Sequence, residues 1–204
     1  MRKMSTLYKQ EFEPIMKDGK QVGRKSLGVS DELNEENAWV FSDPTTKAYL
    51  KMDGAACAVI NGLMYARLMV GQTKRGGKKI LLPENAIPAQ PEPDPNTGQH
   101  PHWVPTKDNP QYKWFNYAFE QLPYEDGTYE MCGTKIVNDP EHTGKLAVLI
   151  NHNNPELLVD LPEVMTKESL GIWIGSRPNE GVVFKNDSGF MCKLRRTDYL
   201  LGKS

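Results

Sequence analysis

The sequence predicts an α+β fold built largely from antiparallel sheets, and three observations carry that reading. Short apolar runs of strand character recur along the chain, at Ala55–Ile60, Met64–Val70, Thr128–Cys132, Leu146–Ile150, Gly181–Phe184 and Phe190–Leu194. Asn61-Gly62 separates the first two runs and is a strong signal for a two-residue hairpin turn. Only two stretches show helical signals, so helices flank sheets instead of alternating with strands.

The first helix follows Asp108-Asn109-Pro110, with proline suited to the first turn. Tyr112, Phe115, Phe119 and Leu122 then fall at helical spacing and predict a helix over about 110–122. Thr166 is placed to cap a second helix over Lys167–Ile174. Between the strands and the first helix lies a proline-rich segment at about 83–110, from Pro83 to Pro110. Proline fixes φ and lacks an amide donor, so a long loop is expected there instead of helix or central strand. Trp103, flanked by His100 and His102, argues that part of the segment packs or binds something. The two histidines also raise a metal pair, although no cysteine or third histidine stands nearby. The first 50 residues carry no motif and are expected to complete the sheet around a site.

Composition narrows the class. The chain has 204 residues, 38% of them hydrophobic and 25% charged, which fits a single domain over 1–204 with the proline-rich segment as an insert. The formal net charge of −1 excludes a global positive field, so any nucleic-acid contact must use local basic patches. Two such patches are Lys74, Arg75, Lys78 and Lys79, and Lys193, Arg195, Arg196 and Lys203. By composition alone a solvated surface is the favoured reading of both. No apolar run follows the basic N-terminus and none approaches the roughly 20 residues of a membrane span. Cys57, Cys132 and Cys192 are odd in number and far apart, which suggests buried, inert thiols in a reducing, cytoplasmic setting. Nothing points to an obligate protein partner.

Phosphate-binding loops are absent. No Gly-x-Gly-x-x-Gly follows a strand, and Gly202-Lys203-Ser204 has no helix after it. Side chains must therefore handle any nucleotide. The informative segment is Tyr49-Leu50-Lys51-Met52-Asp53-Gly54, which enters an apolar strand. Alternation sends Lys51 and Asp53 to the same side of the chain, and Gly54 permits close approach. A chance Lys-x-Asp-Gly somewhere in such a chain is on the order of 5%. The residues that follow add weight: Arg67 in the second strand of the hairpin, Glu130 in a later strand, Glu180 before Gly181-Val182-Val183-Phe184, then Lys193 and Arg195 on one face of the last strand. A nucleophilic lysine, an acidic pair and a basic pair are the parts of a phosphoryl-transfer site.

With these motifs in this order, the sequence resembles the ATP-dependent ligases of the covalent nucleotidyltransferase superfamily. More narrowly, it is similar to the vertebrate 5′–3′ RNA ligase family. Cys57 after the lysine motif, Ala66-Arg67-Leu68, Trp103-Val104-Pro105, Gln111-Tyr112 and Gly133-Thr134 carry that narrower likeness. The resemblance implies a ligase-type nucleotidyltransferase domain with no separate C-terminal oligonucleotide-binding fold, and RNA held by local patches. It implies an ATP-dependent RNA ligase that joins a 5′-phosphate to a 3′-hydroxyl through lysyl-AMP and adenylylated RNA. Lys51 would carry AMP. Asp53 and Arg67 would orient the lysine and the ribose or acceptor phosphate, and Glu130 would contact the ribose. Glu180, with Glu130, would place magnesium or manganese. Leu50, Gly54 and Val182 would line the nucleotide, with Val182 against adenine, and Lys193 and Arg195 would bind phosphates. The family usually ends its last motif as Lys-x-Lys, whereas Arg195 stands here, a fork in place of a point charge. The alternatives are a DNA or nick ligase, a GTP-using capping-type enzyme, and an inactive RNA-binding module of the same fold.

Overall fold

The computed structural model describes residues 4–71, 82–95 and 98–200. The basic run Lys74, Arg75, Lys78 and Lys79, and Lys203, lie outside the described residues. In chain order the strands are β1 (Ser5–Thr6), β2 (Tyr8–Lys17), β3 (Lys20–Leu33), β4 (Lys47–Lys51), β5 (Ala55–Ile60), β6 (Leu63–Val70), β7 (Ile87–Pro88), β8 (His100–Pro105), β9 (Gly127–Cys132), β10 (Val148–Asn151), β11 (Leu158–Val159), β12 (Gly181–Lys185) and β13 (Met191–Arg195). The α-helices are α1 (Trp39–Ser42), α2 (Lys113–Phe119), α3 (Lys167–Gly175) and α4 (Arg196–Leu200). The architecture is α+β with mostly antiparallel sheets. No helix among the described residues is long and apolar enough to cross a membrane.

The chain forms two compact units. The middle unit contains Asp53–Asn154, and the flanking unit combines Met4–Met52 with Pro155–Ser204.

In the middle unit six strands pair antiparallel in the order β10-β9-β5-β6-β8-β7. The β5–β6 turn forms where Asn61-Gly62 predicts it. Both residues are left-handed, with φ of 51° and 69°, the geometry whose twist matches the flanking strands. Asp126 accepts the amides of both, at 2.7 and 2.9 Å. Helix α2 covers one sheet face, where Ala118 packs with Val59, Met64, Tyr129 and Met131. It is shorter than the spacing predicts. Pro123 disfavours helical geometry at Leu122, which is left exposed. Asn109 accepts the Gln111 amide at 3.0 Å, so the entry signal was read correctly.

The proline-rich segment departs from expectation. It contains β8, which lies inside the sheet between β6 and β7. Along an antiparallel strand, backbone polar groups alternate sides. The Pro101 carbonyl accepts Ala89 N–H on the β7 side, so Pro101, Trp103 and Pro105 turn their backbones that way. The missing proline amides therefore fall toward a partner only two residues long. The ladder to β6 runs through the intervening residues and is unharmed.

The flanking unit holds a five-stranded sheet ordered β1-β13-β12-β4-β11, antiparallel except for the parallel β1–β13 pair. Leu170 and Ile174, one helical turn apart on α3, pack with Ala48, Val182, Phe184 and Leu194. Each large apolar side chain so buried stabilises by about 1.5–3 kcal/mol. Thr166 caps α3 as predicted, accepting the Ser169 amide at 3.2 Å, and the Ser169 hydroxyl returns a contact to the Thr166 amide at 3.0 Å. Of the first 50 residues, β1 and β4 do join this sheet. Strands β2 and β3 instead form a separate two-stranded ribbon, much of it exposed on both faces. Thr166→Ala should lower stability by about 1 kcal/mol, measured as an earlier denaturant midpoint with an unchanged slope.

Candidate functional site

The residues singled out in the sequence divide between the two units. In the flanking unit, β12 pairs with both β4 and β13, so Gly181 lies opposite Lys51 on one side and Arg195 on the other. One step along the same face, Val183 lies opposite Tyr49 and Lys193. Lys51, Tyr49, Lys193 and Arg195 therefore share the face turned away from α3. Leu50, Val182 and Leu194 occupy the opposite face. Val182, expected against adenine, is wholly buried in the core cluster with α3 and has no surface to offer a ligand.

The Lys51 ammonium donates to the Glu180 carboxylate, and both side chains are about four-fifths buried, with 20% and 23% exposed. Arg195 grips Asp198 with two donors, Nε at 3.1 Å and Nη2 at 2.9 Å. Asp198 is buried and also accepts from Gln10 at 3.2 Å. Much of the Arg195 fork, expected on phosphate, is thus already engaged within the chain. Lys193 has no carboxylate within ion-pair distance among the described residues. Burial first, then the charges of Arg195 and Lys51, push its ammonium down from 10.5 to about 8. Farther along the face, Lys185 sits 4.4 Å from the centre of the Tyr49 ring, and burial brings it to about 8 as well.

In the middle unit Glu130 on β9 lies opposite Ala56, and Arg67 on β6 lies opposite Trp103. Cys57 pairs with Ala66, and that register sets Ala56 beside Arg67. The row Glu130–Ala56–Arg67 therefore places one methyl group between an acid and a base. Burial lowers the Arg67 guanidinium from its ordinary range, and the Glu130 charge opposes that fall. His152 bonds Glu130 at 3.1 Å and Thr128 at 3.0 Å. Asp53 donates its amide to Glu141 at 2.8 Å. Glu141 arrives on a loop in which Val137, Asn138 and Asp139 all have positive φ. Asp139 holds that loop by accepting from the Thr143 amide, the Thr143 hydroxyl and the Gly144 amide at 2.7–3.0 Å.

Sequence reading missed His152, Glu141, Tyr49 and Lys185. Alternation from Lys51 and Gly181 was enough to find Tyr49 and Lys185. Nothing local marks His152 or Glu141, because their partners lie 22 and 88 residues away. The two motif glycines serve close approach. A Cβ on Gly54 would meet the Met131 carbonyl oxygen at 2.3 Å, and one on Gly181 would meet that of Leu194 at 2.1 Å.

All three cysteines are buried and free. Burial raises the Cys57 thiol far above its ordinary range, and burial with nearby carboxylates raises Cys132 to about 12, so neither supplies a thiolate nucleophile. His100 and His102 each donate to a backbone carbonyl, of Gln90 at 2.8 Å and of His100 at 3.0 Å, a packing role. No group of three or more histidine, cysteine or acidic side chains among the described residues is arranged to hold a metal ion. Glu180 and Glu130, the expected metal residues, each commit a carboxylate oxygen to Lys51 or His152. Single carboxylates of this kind fit a magnesium ion that arrives on a triphosphate and keeps most of its waters, not a resident cage.

The depressed ammonium of Lys193 has a consequence for stability. The unfolded chain binds that proton more tightly than the folded one. Its contribution therefore favours folding more as pH rises from about 8 toward 10.5, and is least favourable below 8. Lys193→Met should raise stability at pH 7 by on the order of 2 kcal/mol and flatten part of that rise, as thermal melts at pH 7 and 9.5 would show.

A scan against models of known protein families gives no match to this chain, and a search of curated proteins likewise finds no significant match.

Proposed function

We propose that this protein is an ATP-dependent RNA ligase that takes up AMP on Lys51. The observation that carries the reading is the face of the flanking sheet, where Lys51 contacts Glu180 and shares its side with Lys193 and Arg195. An amine attacks phosphorus only without its proton. Glu180, in contact with the Lys51 nitrogen, is placed to take that proton. The Lys51 lone pair then forms the N–P bond at the α-phosphate as the bond to pyrophosphate breaks. Lys193, with no carboxylate at ion-pair distance among the described residues, supplies the cation for the leaving pyrophosphate. With a pKa of about 8 it also holds a proton to give. Glu180 and Glu130 would help hold a magnesium ion, which would add positive charge against the triphosphate oxygens.

In the later steps AMP passes to the RNA 5′-phosphate, and the 3′-hydroxyl displaces AMP to close the phosphodiester. The resemblance to RNA ligases gives Asp53, Arg67 and Glu130 the ribose and the acceptor phosphate. Arg67 suits a phosphate, being half-buried and charged. Arg195 serves here mainly by adding charge beside Lys193 while Asp198 holds it.

The test is incubation with α-labelled ATP or GTP and magnesium, followed by denaturing electrophoresis. Label from ATP on the wild type, none on Lys51→Ala, and a joined or circular product from 5′-phosphorylated RNA are expected. Label that persists on Lys51→Ala, or no label on the wild type, overturns the reading. Transfer from GTP alone points to capping-type chemistry instead.

A further inference from the structure

We propose that His152 is a positioning residue for Glu130, fixing one carboxylate oxygen so that the other accepts a hydrogen bond from a ribose hydroxyl. The proposal rests on the reading above, in which Glu130 meets the ribose of the nucleotide.

The geometry begins with register. On β10, Ile150 lies opposite Glu130 and Asn151 opposite Tyr129. His152 continues the ladder one residue past the strand, donating its amide to the Thr128 carbonyl at 3.1 Å. It therefore shares a face with Thr128 and Glu130, two residues apart on β9. The ring spans both, with Nδ1 3.0 Å from Thr128 Oγ1 and Nε2 3.1 Å from Glu130 Oε2.

The partners decide the protons. An ionised carboxylate only accepts, so Nε2 carries a hydrogen and donates it to Glu130. In the neutral ring Nδ1 then has a lone pair, and the Thr128 hydroxyl donates to it. The carboxylate thus fixes the proton on Nε2, and the Thr128 hydroxyl, able to donate or accept, holds the other side of the ring. The two side chains are 13% and 21% exposed, so water competes little for this bond.

Glu130 is left with one oxygen fixed and one available. Among the described residues its Oε1 makes no hydrogen bond. Across the row, Ala56 puts only a methyl group between Glu130 and Arg67. A carboxylate whose one oxygen is held at a fixed angle offers the other to a hydroxyl donor. A deoxyribose lacking that hydroxyl leaves the oxygen desolvated and unpaired, the condition under which a polar site rejects an analogue most strongly.

The experiment uses the full chain as wild type, His152→Ala and His152→Gln. Lysyl-AMP formation is followed with ATP, 2′-deoxyATP and 3′-deoxyATP, and binding of AMP and its two deoxy forms is measured by calorimetry. The wild type should prefer ATP over at least one deoxy form. His152→Ala should lose roughly tenfold of that preference, chiefly through KM. His152→Gln, whose amide can donate to the same oxygen, should keep most of it. Equal losses for ribose and deoxyribose nucleotides in His152→Ala would mark a merely structural role and overturn the proposal. So would an unchanged preference, or a wild type with no ribose preference in either assay. No covalent label on the wild type, with ribose-selective AMP binding that His152→Ala weakens, would overturn the ligase reading and uphold the role of His152.

Discussion

Strand β12 is hydrogen-bonded on both sides, to β4 and to β13, and that double pairing decides which side chains share a face. With Gly181 between Lys51 and Arg195, and Val183 between Tyr49 and Lys193, those cations stand together on the face away from α3. A slip of one residue would exchange the faces. Lys51, Lys193 and Arg195 would then enter the core, and Leu50, Val182 and Leu194 would face out. Unpaired charges in a core cost several kcal/mol each, so the correct register is strongly enforced. Gly181 tightens it further, because no other residue fits against the Leu194 carbonyl.

Crowding cations on one face creates a tension that the chain relieves unevenly. Glu180 neutralises Lys51, and Asp198 neutralises Arg195. Lys193 receives no such partner among the described residues, and burial first, then the charges of Arg195 and Lys51, hold its pKa down. A half-buried cation without an ion-paired carboxylate is unfavourable for folding, and the proposed chemistry would use that same condition to receive a phosphate. Stability and the proposed chemistry thus pull against each other at a single side chain.

The middle unit shows the complementary use of small residues. Ala56 separates Glu130 from Arg67 by one strand and puts only a methyl group between them. Proline at 101 and 105 is tolerated within β8 because the lost donors face the two-residue β7. In both cases the side chain or amide that is absent matters as much as what is present.

The sequence by itself determined the fold class, the β5–β6 hairpin, the Thr166 cap and the inventory of charged residues. Those signals are local: alternation over six residues, φ > 0 at Asn61-Gly62, a hydroxyl three residues before an amide. It left the β2–β3 ribbon unread, since a ribbon solvated on both faces shows no alternation, and it mistook β8 for loop, since proline bans a strand only where the donor is needed. Its list of site residues left out the side chains that hydrogen-bond to them. Only the tertiary structure decided that Val182 belongs to the core, that Asp198 already holds Arg195, and that His152 and Glu141 attend Glu130 and Asp53. Those outcomes depend on which strands pair, and in what register, across tens of residues. Such long-range hydrogen bonding leaves no trace in the local pattern of the chain.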